Sequence, residues 1–418
     1  MTVLHRLIHA GKKEELLGVL QVMPAEEIAK IISKPAGAMQ DTPLHIAVRS
    51  NMPEVIPALV KAGADLSVGN FMEERPLDVA IVNNAPACAK ALLEEGADAN
   101  APRLISGLTP LMQATALDNI GMVKMLLGHD ADIAAKHAEN GKNVFFTAAE
   151  YGATEIMEFL LQQKGAAEAV QTVIGFGKST ESPLRIALAR GDTDMAEKLI
   201  DFGVSVNEQD EYGETPLFHV LAHHGDRDEA MKTVRFLLRH GADVEKARNM
   251  WDENALFPAL RSSFTEAVGL LIAHGVDAAH QSRLQATPLH VVAETWDGDA
   301  ARKLIKAGAK LEEKDGQGRT ALHIAAYQNK EAVVKALLQA GADPFATNRD
   351  GKKPSDLTPA HFQDSIHRLL LQKEEELEIR KYGRDMYNRR KKMAENDQKP
   401  RFEKQSPKHS FKGGQNRR

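Results

Sequence analysis

The chain contains 418 residues, of which 43% are hydrophobic and 27% charged, and its formal net charge is -5. Its single cysteine, Cys88, excludes an intramolecular disulfide and a zinc cluster of several cysteines, which favours a reducing compartment. Charged residues interrupt Met1 to Leu20, and no apolar run reaches the roughly 18 residues of a membrane span. We therefore expect a cytoplasmic protein.

A tetrapeptide of the type Thr-Pro-Leu-His recurs from the N-terminus onwards. Thr2-Val3-Leu4-His5 is a degenerate first copy, and we expect residues 1–41 to form a capping unit. Further copies begin, at steps of 33 to 39 residues, at Thr42, Arg75, Thr109, Asn143, Ser182, Thr215, Asn254, Thr287 and Thr320. A period in the low thirties predicts an array of stacked units rather than several globular domains.

The unit that begins at Asp315 illustrates how each copy is expected to fold. Asp315 and the glycines after it predict a turn, and Thr320 occupies the N-cap of a short helix. Asn329, nine residues later, suits the left-handed conformation that ends a helix. Apolar residues at helical spacing over 333–338 predict a second helix, which ends at Gly341. The offset of Asn329 is held in other copies by Asn51, Asn84, Asp118, Gly152 and Gly191.

A turn, a capped short helix, a leucine-rich second helix and a Gly-Ala-Asp ending together resemble the ankyrin repeat. The resemblance covers about residues 2–372 and implies an all-α ankyrin-repeat solenoid of about nine clear repeats plus two degenerate capping repeats. Four segments follow the N-terminal cap. We predict the array at 42–352, a C-terminal capping repeat at 353–372, a charged helical extension at 373–395 and a disordered basic tail at 396–418.

Two steps of the array are longer than the others. We expect residues 170–180 to enlarge one turn, and residues 223–228 to lengthen the link between two paired helices. Insertions in repeat arrays map to loops, often on a binding face.

The sequence contains no arrangement that predicts catalysis, and we expect no cofactor. Gly177-Lys178-Ser179 suggests a phosphate loop, but the glycine required earlier in that motif is replaced by Thr172. Cys88 lies between alanines within a predicted helix, where we interpret it as a small buried side chain.

Histidines offer the remaining chemistry. His219 and His223 form an i,i+4 pair that would suit a metal ion, with His224 and Asp226 nearby. We interpret them as structural or loop residues and expect no metal. The resemblance implies that the recurring histidines hydrogen-bond within the turn network; these are His45, His290 and His323.

The resemblance implies that a protein partner binds to the tips of the turns and to the exposed end of each first helix. Large apolar residues are unusual at polar tips, and aromatic residues and Arg are enriched at binding hot spots. The tip candidates are Phe71, Met72, Tyr212, Trp251 and Leu284. The first-helix candidates are Arg49, Tyr151, Arg190, Arg261 and Tyr327.

The C-terminal segment is strongly basic. From Ile379 to Arg418 there are 14 Lys or Arg residues and four Asp or Glu residues, including the cluster Arg389, Arg390, Lys391 and Lys392. Three interpretations remain open: a solubilising end, a weak electrostatic contact with nucleic acid or an anionic membrane, or an address for the nucleus or for bacterial secretion.

We expect a non-enzymatic adaptor or scaffold that is monomeric and binds a protein rather than a small-molecule substrate. The alternative is an ankyrin-type effector that an intracellular bacterium delivers into a host cell, with the basic C-terminus as its transport signal.

Overall fold

Pairs of short helices joined by turns make up most of the chain. The computed structural model describes residues 1–397 except 104, 173, 177–178, 224, 296 and 360–362. Two units, Met1–Asp277 and Ala278–Arg418, are distinguished by their internal contacts and are described separately.

In the first unit, eight first helices alternate with eight second helices among the described residues. The first helices are Val3–His9, Pro43–Arg49, Pro76–Val82, Pro110–Ala116, Val144–Tyr151, Pro183–Ala189, Pro216–His223 and Leu256–Arg261. The second helices are Lys13–Val22, Ile56–Lys61, Pro86–Glu94, Ile120–Leu127, Thr154–Leu161, Thr193–Phe202, Arg227–Arg239 and Thr265–Ala273. Consecutive first helices pack on one another, as Val144–Tyr151 does on both of its neighbours, which buries apolar faces that such short helices cannot cover alone.

The second unit continues the same pattern and then changes. Its first helices are Pro288–Val292 and Ala321–Tyr327, and its second helices are Gly298–Lys306 and Glu331–Gln339. A 3-10 turn at Pro354–Leu357, a π-helical turn at Gln363–His367 and the helices Arg368–Tyr382 and Arg384–Asp397 follow.

The N-cap of each typical first helix ties that helix to the next repeat. The N–H of Thr42 donates to Nδ1 of His45 at 3.2 Å, and the threonine hydroxyl lies 2.8 Å from the same nitrogen. Nδ1 is therefore an acceptor, and Nε2 carries the proton that is donated to the carbonyl of Glu74 at 2.8 Å. His290 and His323 repeat this arrangement, again with a carbonyl 29 residues downstream. The structural role that the resemblance implied for these histidines is confirmed.

The predicted ends of the first helices are confirmed by the backbone. Asn51, Asn84, Asp118 and Asn329 have φ values of 50°, 48°, 52° and 57°, in the left-handed region. Asparagine and aspartate tolerate this conformation because their short polar side chains bond locally. Cys88 is also buried as expected, in the helix Pro86–Glu94, and burial raises the pKa of its thiol to about 11.

The first long step of the array contains regular structure of its own. The helix Ala166–Ala169 is followed by strands Ile174–Phe176 and Ser179–Glu181, which pair antiparallel. In the part of the chain that the structure describes, this hairpin is the only sheet. The Gly-Lys pair of the phosphate-loop motif, residues 177–178, lies outside the described residues.

The prediction for the second long step, residues 223–228, is wrong. His223 lies within the first helix, and Arg227 and Asp228 begin the second, so no more than three residues separate the two helices, as between Ala321–Tyr327 and Glu331–Gln339 in a regular repeat. The second helix has 13 residues where Glu331–Gln339 has 9, and the first helix has 8 where Ala321–Tyr327 has 7, so the extra residues lengthen the helices. Asp226 caps the second helix by accepting from the N–H groups of Asp228 and Glu229, and the helix-forming residues after it continue it.

The boundaries at both ends differ in detail from those expected. Residues 1–41 contain an additional helix, Ala25–Ile31. The helix Arg368–Tyr382 runs through residue 372 and ends at Gly383, whose φ is 80°. The helix Arg384–Asp397 extends two residues into the predicted disordered tail, 396–418, and the rest of that tail, from 398 onwards, lies outside the described residues. In the part of the chain that the structure describes, no helix has both the length and the apolar character needed to cross a membrane.

The buried histidines predict a loss of stability in mild acid. Burial lowers the pKa of His45 and of His290 below the usual 6.5. Below about pH 6.5 the unfolded chain therefore binds protons that the folded chain does not, and the free energy of unfolding falls as the pH falls. Each such histidine contributes at most about 1.4 kcal/mol per pH unit.

Urea midpoints at pH 7 and pH 5 measure this effect. We expect His45→Gln to reduce the difference between the two midpoints, because glutamine does not titrate. His274→Gln, which changes an exposed histidine, is the control. An unchanged difference in His45→Gln would contradict the assignment.

Candidate functional site

The tips of the turns are built by short polar side chains that bond to their own backbone. The side-chain oxygen of Asn70 accepts from the N–H groups of Met72 and Glu74 at 2.9 and 3.0 Å. Asp210 and Asn249 form the same turn in later repeats. Because the polar side chain satisfies the backbone, the residues between are left to project from the tip.

Four exposed apolar residues occupy three consecutive tips, and we call them the tip patch: Met39, Phe71, Met72 and Ile105. Phe71 is 69% exposed and Ile105 64%. The N–H of Phe71 donates to the carbonyl of Met39 at 2.7 Å, which joins the first two tips. Side-chain bonds join the second tip to the third, because Arg75 donates to the carbonyls of Ala101 and Pro102.

Ion pairs beneath the tip patch hold the three tips in register. Arg49 lies 2.9 Å from the carboxylate of Asp41 and 3.4 Å from that of Glu74. Glu74 also accepts from Arg103 at 2.8 Å. Two carboxylates and two guanidinium groups thus link the three tips. The residues of the tip patch are therefore carried by turns that are fixed relative to one another.

The other predicted apolar candidates lie elsewhere. Trp251 is 47% exposed and follows the exposed Met250 on a single tip, whereas Tyr212 is half-buried. Leu284 is an exposed tip residue of the second unit. Tyr151 and Tyr327 are exposed at the ends of their first helices.

The predicted arginines are engaged within the protein. Arg261 lies over the Phe257 ring and donates to the carboxylate of Glu253 at 2.8 Å. Arg190 donates to the carbonyl of Glu150, and Arg49 belongs to the network beneath the tip patch. A partner that used these guanidinium groups would have to compete with bonds that already exist.

A second candidate site is a pocket of about 380 Å³ in the first unit. It lies between the helix Pro183–Ala189 and the helices Pro216–His223 and Arg227–Arg239. Its lining includes Arg185, Arg190, His219, His223 and Glu229. The pocket therefore combines charged groups of both signs with an apolar floor.

His219, His223 and Glu214 form what we call the histidine cluster. Their ligand atoms all lie within 4.8 Å of one another, and the two imidazole rings are 4.7 Å apart and tilted by 49°. Burial, together with the charges of Arg185 and His223, lowers the pKa of His219 to about 4, so this ring is neutral at pH 7. Burial and the charge of Asp210 raise the pKa of Glu214.

Arg185 lies beside this cluster at the position that histidine occupies in other repeats. Its Nη2 donates to the carbonyl of Glu214, again 29 residues downstream, so arginine makes the bond that His45 makes elsewhere. Its Nε and Nη1 lie 3.6 and 3.4 Å from the carboxylates of Glu208 and Asp210, with which they form ion pairs but no hydrogen bonds. Burial raises the pKa of Glu208.

Three residues of these sites were missed by sequence reasoning. Met39 and Ile105 share one register with Met72, at intervals of 33 residues (39, 72, 105), and that periodicity was the available signal. Glu214 precedes the N-cap Thr215, and only the fold brings it to His219. Asp226, which had been grouped with the histidines, instead caps a helix, and His224 lies outside the described residues.

The basic cluster of the C-terminal segment is accessible. Arg389, Arg390, Lys391 and Lys392 are exposed on the helix Arg384–Asp397. Arg390 lies over the ring of Tyr382, with 4.2 Å between the guanidinium carbon and the ring centre.

The sequence matches a family profile described as ankyrin repeats in three copies. The matched ranges overlap along the chain and are residues 2–103, 77–172, 162–248, 184–282 and 256–348. Together they cover most of the helix pairs described above.

Individual proteins match shorter regions. An L-asparaginase of Dirofilaria immitis is 31% identical over 38% of this chain and 26% of its own length. The nuclear factor NF-kappa-B p105 subunit of Gallus gallus is 28% identical over 54% of this chain and 23% of its own length. The chain thus spans about a quarter of these two relatives. Protein phosphatase 1 regulatory subunit 27 of Mus musculus is 31% identical over 32% of this chain and 92% of its own length.

Replacement of Arg185 by methionine should strongly destabilise the first unit. The change removes the buried guanidinium group and leaves the carboxylates of Glu208 and Asp210 without their partner. Breaking a buried ion pair in this way costs about 3–5 kcal/mol. Arg235→Met, which breaks an exposed pair with Glu266, should cost no more than about 1 kcal/mol. Urea unfolding of both variants measures the difference, and equal costs would mean that Arg185 is not a structural anchor.

Proposed function

The chain belongs to the ankyrin-repeat family, and we propose that it is a non-enzymatic adaptor or scaffold that grips a protein partner with its turn tips. Ankyrin repeats are in general a non-catalytic interaction fold. The similarity to an asparaginase is confined to about a quarter of that protein and supports no activity for this chain.

The tip patch is the observation that carries the proposal. Its residues expose apolar side chains at positions where turns are ordinarily polar, and they do so on three neighbouring tips rather than one. Isolated exposed apolar residues are common and need no explanation, whereas exposed apolar residues grouped on tips that are bonded to one another favour an interaction site. The ion pairs below the tip patch reduce the ordering cost of binding, because the tips are already held in place.

The partner surface that suits the tip patch is apolar. The guanidinium groups of Arg49 and Arg103 are paired beneath the patch and are not its contact groups. We therefore assign the contact energy to Phe71, Met72 and Ile105, with Trp251 on a separate tip as an additional anchor.

The bacterial-effector alternative rests on the basic C-terminus alone, of which the structure describes the exposed cluster Arg389, Arg390, Lys391 and Lys392. If the C-terminus is a transport signal, removal of residues 379–418 should abolish delivery into host cells in a translocation assay. Delivery that is unchanged by the truncation, or absent in both forms, counts against this alternative and leaves the adaptor proposal standing.

Substitution of the tip patch tests the adaptor proposal. Phe71→Ser, Met72→Ser and Ile105→Ser together should weaken partner binding at least about thirtyfold, the effect of losing one hot spot of about 2 kcal/mol. The helical circular dichroism should remain unchanged, because all three side chains are exposed. Affinity capture identifies the partner, and titration with the purified partner measures the affinity.

A matched control variant is Val22→Ser with Phe202→Ser, which removes two exposed apolar side chains from the ends of second helices. It should bind as the parent chain does. Trp251→Ser alone should cause an intermediate loss. If the tip variant and the control bind equally well, the tips are not the contact surface.

A further inference from the structure

The histidine cluster has the donor set of a metal site. His219 and His223 are separated by one helical turn, and Glu214 approaches from the turn that precedes the helix. Among the described residues, neither imidazole has a hydrogen-bond partner, and the Glu214 carboxylate has none either. Three groups that could each supply a ligand atom therefore lie close together, although no hydrogen bond between their side chains holds them there.

The charges around the cluster favour a cation. Glu208, Asp210 and Glu214 supply three carboxylates, against the guanidinium group of Arg185 beside them and that of Arg190 in the pocket. Glu253 adds a further negative charge that acts on Glu214. A bound cation would relieve the mutual repulsion of these partly buried carboxylates.

We propose that Glu214, His219 and His223 bind a divalent transition-metal ion of the zinc class, with the remaining coordination position open to the pocket that the two histidines line. Two imidazoles and one carboxylate are a known ligand set for such ions, and sites with three protein ligands keep one position open. The site is separate from the tip patch and does not depend on the proposed adaptor function.

Only a small adjustment of the side chains is needed. Bonds of about 2.0–2.1 Å to a tetrahedral ion place the donor atoms about 3.4 Å apart, so the separations within the cluster must fall by up to about 1.4 Å from their present 4.8 Å limit. His223 is exposed and Glu214 half-buried, so we expect rotation of these two side chains to supply the contraction.

Zinc chloride is the probe for this site. The full chain, without an added histidine tag, is stripped with a chelator and titrated at pH 7. We expect one zinc ion per chain, and X-ray absorption of the bound ion should show two imidazole ligands. His223→Ala and Glu214→Gln should each weaken binding by roughly a hundredfold or more, since even outer-shell changes reach that size. Circular dichroism verifies that both variants fold.

The matched control is His274→Ala, which removes an exposed histidine from another helix end of the same unit. It should bind zinc as the parent chain does. The proposal is overturned if the parent chain binds no stoichiometric zinc, or if either cluster variant retains the affinity of the control.

Discussion

One hydrogen bond, made in the repeats that begin at Thr42, Ser182, Thr287 and Thr320, fixes each of these repeats against the next. A side chain in the first turn of a first helix donates to a carbonyl 29 residues downstream, and thereby joins the cap of one repeat to the turn of the next. His45 can donate from Nε2 because its other ring nitrogen, Nδ1, accepts from the N–H group of Thr42 and contacts the hydroxyl group of the same residue. Helices of about seven residues are only marginally stable in isolation. The array is therefore stabilised by this bond and by the apolar stacking of neighbouring helices. Where arginine replaces histidine, at Arg185, the bond is kept and a buried charge is added.

The helix caps and helix ends could be predicted from the sequence because the interactions that determine them are local. The caps at Thr42 and Thr320 and the left-handed residues Asn51 and Asn329 depend on neighbours within a few positions, and their residue types identify them. Phe71 could be selected because it departs from a polar pattern. Glu214 could not, because its place beside His219 depends on the path of the chain at the turn, which residue types do not encode.

The error at residues 223–228 has a different cause. Extra residues in a repeat can enlarge a loop or extend a helix, and the repeat period does not distinguish these outcomes. Asp226 and the helix-forming residues after it favour extension, and the longer helix then forms one wall of the pocket beside the histidine cluster. The inserted residues were expected to form a loop. Because the residues after Asp226 have high helix propensity, they instead extend the helix, and that helix lines the pocket.

Because each histidine bond joins only two neighbouring repeats, the array should unfold one repeat at a time under force. Each donor reaches the following repeat and none beyond it, so no bond of this kind spans two interfaces. Tension applied to the two ends of a unit would load these bonds in series, and the weakest interface would yield first. A released repeat of about 33 residues would lengthen the chain by roughly 110 Å, so the array would extend in steps while its remaining repeats stayed folded.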